Sequence, residues 1–181
     1  MDPLYLVAIL PPEPIFSEVW AMKQEVHTLT GSRNAVRLPA HITLIPPWRQ
    51  AAEAEATLRA ELRDFAALEE AFSVGLQGFD WFGNRTLFVR VTEAAALQAF
   101  HADLAGWCAA RLADIPRETR PFTPHMTLAT RDLPPSHVSA LRQLFQARSY
   151  TASFLVSSLQ LFRHDGQHWL PIEEFDLKAQ V

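Results

Sequence analysis

One tetrapeptide occurs twice in this chain: His41-Ile42-Thr43-Leu44 and His125-Met126-Thr127-Leu128 both read His-x-Thr-Leu. At average residue usage one such match in a chain of this length has a chance of roughly a few per cent, and two together on the order of one in a few thousand. Each copy falls on a short run with strand character, Ala40 to Ile45 before Pro46-Pro47, and His125 to Ala129. Successive side chains of a strand point to opposite faces, so His41 and Thr43 share one face while Ile42 and Leu44 share the other. The same holds for His125 and Thr127 against Met126 and Leu128. Such a chain must bury two apolar strand faces and leave two His/Thr pairs outside them. If the two strands are pseudo-symmetric partners, the pairs converge on one cleft.

The remaining sequence supplies elements of both kinds. Leu4 to Leu10 reads as a buried strand, and residues 14–28 as a helix carrying Ile15, Val19, Met22 and Val26 inward and ending near Gly31. Ala51 to Leu68 and Ala94 to Leu112 are rich in strong helix formers. Phe72 to Phe79 and Thr86 to Val91 read as a hairpin about Phe82-Gly83-Asn84-Arg85. Ser136 to Ala147 reads as a helix with Ser136 as N-cap. Thr151 to Arg163 reads as one long strand, and the Asp165-Gly166 turn leads to a partner over His168 to Leu177. Hairpins demand antiparallel pairing, so the expected class is α+β. No linker or low-complexity stretch divides the chain, and one domain over residues 1–181 is expected. The proline-bearing stretch Ile115 to Pro124 is the expected crossing between two lobes.

Composition narrows the partners. A formal charge of −4 provides no global basic field for long nucleic acid, which favours a small substrate or a locally gripped RNA end. Of the 16 cationic residues only Lys23 and Lys178 are lysines, and arginine suits forked recognition of phosphate. Cys108 is the single cysteine, so neither an intrachain disulfide nor a cysteine zinc cage can form. It reads as a small apolar helix residue. The apolar opening run is too short to span a bilayer and has no basic leader, so no membrane association and a cytoplasmic location are expected.

Two imidazoles and two hydroxyls around one gap suit in-line displacement at phosphorus. One neutral ring takes a proton from the attacking hydroxyl or water, and the other, protonated, gives one to the leaving oxygen. An ordinary imidazole pKa near 6.5 populates both forms around neutrality. The threonine hydroxyls can bond the non-bridging phosphate oxygens. This chemistry requires no metal and no cofactor.

The paired motifs, with Pro124 directly before the second histidine and Phe122 before that, resemble those of the two-histidine phosphoesterase superfamily, in particular its bacterial 2'-5' RNA ligase-like branch. The likeness extends to Leu6-Val-Ala-Ile-Leu-Pro-Pro at the start and to Leu159-Gln-Leu-Phe-Arg and Trp169-Leu-Pro-Ile-Glu-Glu-Phe at the end. It implies a bilobal fold of two antiparallel sheets around a central cleft with helices outside. It implies hydrolysis of 2',3'-cyclic phosphate ends of RNA or nucleotides, with His41 and His125 catalytic and Thr43 and Thr127 on the phosphate. Alternatives are 2'-5' joining of RNA, or a nucleotide-binding module without catalysis. The chain departs from the family pattern where Thr130 stands five residues after the second histidine, followed by Arg131, and where Ile45-Pro-Pro-Trp-Arg follows the first motif.

Other residues carry weaker signals. Arg131 is the expected phosphate clamp, with Arg49 and Arg163 as substitutes. Trp48 and Phe122 flank the motifs and are candidates for stacking a base. His27, His101 and His137 fall on helices without a matching partner and read as surface residues. His164 and His168 straddle a turn that separates them, which argues against a zinc pair. A monomer acting on a small nucleotide or RNA end is the expected form.

Overall fold

The computed structural model describes residues 2–179; Met1, Gln180 and Val181, the ends of the expected 1–181 span, lie outside the described residues. Four helices, α1 (Ile15–Thr30), α2 (Glu55–Ala66), α3 (Ala95–Arg111) and α4 (Val138–Gln146), accompany eight strands. The first sheet contains β1 (Leu4–Ile9), β2 (Ile42–Arg49), β7 (Ser158–His164) and β8 (Trp169–Asp176) in the order β2-β1-β7-β8. The second contains β3 (Phe72–Phe82), β4 (Thr86–Thr92), β5 (His125–Ala129) and β6 (Thr151–Val156) in the order β5-β4-β3-β6. All pairings are antiparallel, and the class is α+β.

Each histidine motif is carried by an edge strand, β2 in one sheet and β5 in the other. The apolar members of both motifs, Ile42, Leu44, Met126 and Leu128, are buried in one core cluster that runs through both sheets. That is the alternation expected from the sequence, and it anchors the backbone from which the polar members project. The helices bind the two edges together. α1, which leads into β2, packs on β5 of the other sheet. Asp132, just past β5, accepts from Ser32 Oγ at 2.7 Å and from the Arg33 and Asn34 amides at 2.7 and 3.1 Å, all just ahead of β2. The exit of one motif is thus tied to the approach of the other.

Three expectations are corrected. The long strand over 151–163 is two strands in different sheets, broken at Ser157. β6 is an edge strand with alternating burial, whereas β7 is central and buries Leu159 to Phe162 without a break. A run of apolar residues does not reveal that its second half changes sheets. Consequently the chain crosses between sheets at α2 and again at Ser157, and the stretch Ile115 to Pro124 instead joins α3 to β5, whose neighbour β4 lies in the same sheet. Ser136 does not cap α4: it lies in a short 3-10 turn, Pro135–His137, and makes no side-chain cap bond.

The inner stripe of α1 differs in one position. Ile15, Val19, Val26 and Thr30 are buried as the helical spacing requires, but the fifth member is Lys23, 1% exposed, while Met22 is only half-buried. A helix with apolar contacts at every other inner position has enough packing energy to hold one ammonium inside, provided its protons find acceptors.

The Asp132 clamp gives a stability prediction. Partial burial pushes the Asp132 pKa up, but the bonds from Ser32, Arg33 and Asn34 outweigh it and hold the carboxyl below its usual range. A carboxylate with a depressed folded pKa contributes stability above its unfolded pKa and loses it as pH falls through the folded value. Asp132→Ala is expected to lower the unfolding free energy by about 1 kcal/mol at pH 7, discounted for its exposure. Denaturant titrations of the variant and the wild type should converge near pH 2.

Candidate active site

The two histidines are held by the same local bond. His41 Nδ1 lies 2.7 Å from the carbonyl oxygen of Pro39, and His125 Nδ1 lies 2.7 Å from that of Thr123, each two residues upstream of its ring. A carbonyl only accepts, so Nδ1 carries the proton in both rings and Nε2 is left with its lone pair. The two tautomers and the two ring orientations are thereby fixed by backbone, and the motif repeat is also a repeat of side-chain geometry.

A cleft of about 500 Å³ opens beside these strands and is lined by Thr43, His125, Thr127, Thr130 and Arg131, with His41 behind this lining. His41 immediately precedes β2 on the side that Thr43 takes, and it lies near enough to His125 for that charge to disfavour its protonation. Both imidazoles are pushed away from the charged form. Burial lowers His41 first, the positive charge of Lys23 lowers it further, and the bond to Pro39 opposes them; the result is about 3. Burial also lowers His125, opposed by its bond to Thr123. Two aromatic rings wall His125: Phe82 stands edge-on at 4.9 Å between centroids, and Phe88 at 5.2 Å. Phe82 reaches this place because β3 runs past a bulge at Gly78, whose φ of +64° suits glycine and not a side-chain-bearing residue.

The other expected site residues divide clearly. Arg131 lines the cleft, exposed and with no carboxylate partner among the described residues. Phe122 also lines it, but one face is covered by the His101 ring, parallel within 2° at 3.7 Å, so only the opposite face could meet a base. Trp48 is corrected. It is 3% exposed, packs against Tyr5 and donates its indole N–H to Gln50 Oε1, because β2 continues through Pro46-Pro47 and its alternation turns residue 48 into the core. A base cannot reach it. Arg49 donates to the Asp2 carbonyl and Arg163 pairs with Glu55, both away from the cleft, so neither substitutes for Arg131.

Several cleft residues gave no usable sequence signal. His101, expected on the surface, is half-buried: its Nε2–H donates to the Leu44 carbonyl at 3.2 Å and its ring stacks on Phe122. Burial lowers its pKa. Helix α3, which leads into β5, thus grips the strand of the other motif. Arg120 stands at the rim but is forked onto Glu118, whose pKa that bond holds at about 2. An apolar recess of about 300 Å³ adjoins the cleft across His101 and Leu44, floored by Leu104, Cys108 and Ile115. Among the described residues no three or more His, Cys, Asp or Glu side chains gather at metal-binding spacing, and no helix is long and apolar enough to cross a membrane.

The sequence profile of the 2'-5' RNA ligase superfamily matches residues 11–168, a span that includes both motifs and the cleft. The chain belongs to that superfamily. No curated protein sequence matches it. Among solved structures it is similar to TT0787 of Thermus thermophilus, with 22% identity, a TM-score of 0.72, and coverage of 98% of this chain and 100% of that one. It is also similar to E. coli LigT in complex with 3'-AMP, with 16% identity, a TM-score of 0.63, and coverage of 98% and 99%. Usb1 of Kluyveromyces marxianus aligns at 14% identity with a TM-score of 0.53, covering 97% of this chain and 98% of its own. At these identities the likeness is one of fold: two four-stranded antiparallel sheets with helices, of the two-histidine phosphoesterase type.

The ring–carbonyl bonds make a direct prediction. At pH 7 both His41 and His125 should be neutral with the proton on Nδ1, giving nitrogen NMR shifts of an unprotonated Nε2. A free imidazole prefers the opposite tautomer, so a neutral ring with its proton on Nε2 and none on Nδ1 would contradict the geometry.

Proposed function

We propose that this member of the superfamily is a metal-independent phosphodiesterase that opens 2',3'-cyclic phosphates of nucleotides or RNA ends, with His41 as general base and His125 as general acid. The observation that carries the reading is the matched pair of rings, each with Nδ1 tied back to its own strand and Nε2 free, beside a cleft lined by Thr43 and Thr127. Pure binding needs no such pair of proton-transfer groups.

In this reading water attacks phosphorus, and its proton passes to His41 Nε2. The bond from phosphorus to one ribose oxygen breaks, and His125 Nε2–H supplies the proton that this oxygen needs. The product is a phosphomonoester with a free ribose hydroxyl, and the two rings exchange protons with solvent before the next turnover. The environments support these roles. The positive charge of Lys23 adds to burial in keeping His41 neutral, whereas His125 is moved by burial and by its bond to Thr123. The bound phosphate anion then favours protonation of the ring that faces no ammonium. Thr43 and Thr127 hydroxyls contact the non-bridging oxygens, and Arg131 is the cation free to approach them. The base of the nucleotide meets the open face of Phe122. A 3'-nucleoside monophosphate, the ligand bound to E. coli LigT, is what breaking the bond to the 2' oxygen of a cyclic phosphate leaves. Joining of 2'-5' RNA would use the same rings with a ribose hydroxyl as nucleophile, but the net charge of −4 provides no basic track for two RNA strands.

The decisive assay follows 2',3'-cyclic mononucleotides by phosphorus NMR in the presence of EDTA. Hydrolysis should persist with the chelator. His41→Ala and His125→Ala should each lower kcat by about 10²–10⁴-fold, and Thr43→Val should act more weakly. Wild-type turnover by either histidine variant would rule the mechanism out, and RNA joining without hydrolysis would transfer the assignment to ligation.

A further inference from the structure

Lys23 lies in the middle of α1 with its side chain inside the protein, and no carboxylate among the described residues pairs with it. Its Nζ donates to the carbonyl oxygens of Leu38 at 3.0 Å and Pro39 at 2.9 Å, and the Trp20 ring stands 5.9 Å away. Leucine at this position would continue the apolar stripe of Ile15, Val19 and Val26 at no electrostatic cost. An ammonium buried without a counter-charge is a liability to the fold, so its place calls for a use.

The Pro39 carbonyl shows what that use is. It accepts from Lys23 Nζ at 2.9 Å and from His41 Nδ1 at 2.7 Å, so the ammonium and the imidazole meet on one oxygen. The second histidine has the same ring–carbonyl bond, 2.7 Å to Thr123, but Thr123 is exposed and no ammonium donates to its carbonyl. The duplicated motif is therefore symmetric in the ring, the threonine and the backbone acceptor, and asymmetric in this one cation.

We infer that Lys23 is a positioning residue for the proton-transfer step, fixing the Leu38–His41 turn through two backbone carbonyls and holding the His41 ring neutral by its charge, so that the two like histidines take unlike roles. The inference rests on the reading of His41 as an acid–base group. The titratable groups around α1 do not compensate the charge. Glu18 accepts from Tyr150 and Glu25 from Arg148, and Asp132 is taken up by Ser32, Arg33 and Asn34. His27 donates to the Ser32 carbonyl at the end of the helix. The charges that act on His41 are those of Lys23 and, more weakly, His125. Burial lowers the pKa of Lys23 itself to about 7. Below that value the ammonium is present, which covers the range in which an ordinary imidazole would take up its proton. Loss of the cation must then raise the pKa of His41. Since a general base works only when neutral, activity would begin to fail at a higher pH as the solution is acidified.

The test compares Lys23→Met, Lys23→Arg and the wild type on two readouts. Carbon NMR titration of the histidine rings needs no substrate and reports His41 whether or not the cyclic phosphate reading holds. In Lys23→Met the His41 pKa should rise by about one unit or more while His125 moves little. The acidic limb of kcat/KM should shift upward with it, and Lys23→Arg should restore the wild-type values. An unchanged His41 titration in a folded Lys23→Met protein would overturn the inference, leaving Lys23 a structural residue. Should that variant fail to fold, Lys23→Gln takes its place on the same readout, with the same rise in the His41 pKa expected and an unchanged value overturning the inference; a wild-type His41 ring that titrates at or above the ordinary imidazole value overturns it by itself. A shifted His41 titration with no hydrolysis of any cyclic phosphate would instead retain the Lys23 role and count against the proposed substrate.

Discussion

Each motif histidine ring is fixed by a bond to its own backbone, Nδ1 to the carbonyl two residues upstream, at 2.7 Å in both cases. An imidazole can turn about two side-chain torsions and exchange its proton between two nitrogens. A single carbonyl acceptor removes most of that freedom, because only Nδ1–H satisfies it and only a narrow range of ring angles reaches it. Pro39 supplies the acceptor on one side and Pro124 follows the acceptor Thr123 on the other, so proline's fixed φ removes one torsion from each of these short spans. The rest of the fold serves to bring two such units edge to edge.

Edge strands are a liability in most sheets, since their free backbone groups invite pairing with other chains. Here β2 and β5 are both edges, and each is gripped from the other half of the molecule. α1 packs on β5, and His101 of α3 donates to the Leu44 carbonyl of β2. Asp132 ties the end of β5 to the residues before β2. These contacts cover part of both edges and cross between the sheets in both directions. The cleft is a consequence of how the edges are covered.

Symmetry of sequence does not give symmetry of chemistry. Two identical imidazoles in identical environments would gain and lose protons together, and acid–base catalysis needs them in opposite states. The protein differs on its two sides at few places, and those are informative. Phe82 and Phe88 enclose His125 with uncharged rings, while Lys23 sets a cation behind His41. Burial alone disfavours charge on both rings; the ammonium discriminates between them.

The sequence by itself determined the two motif strands, which of their faces is apolar, the α+β class, and the two His/Thr pairs that share the opposite face. These follow from strand alternation and a repeated pattern, both properties of neighbours along the chain. Arg131 and Phe122 were likewise legible because they adjoin a motif. Only the tertiary structure decided matters that depend on what lies across space. It turned Trp48 into the core by running β2 on through two prolines, divided the run over 151–163 between two sheets, and moved the crossing away from Ile115 to Pro124. His101 and Lys23 looked like ordinary helix residues, since nothing in their local sequence says that a carbonyl of another segment waits for their protons. Periodicity reports which side of an element is inside. It is silent on what that side meets.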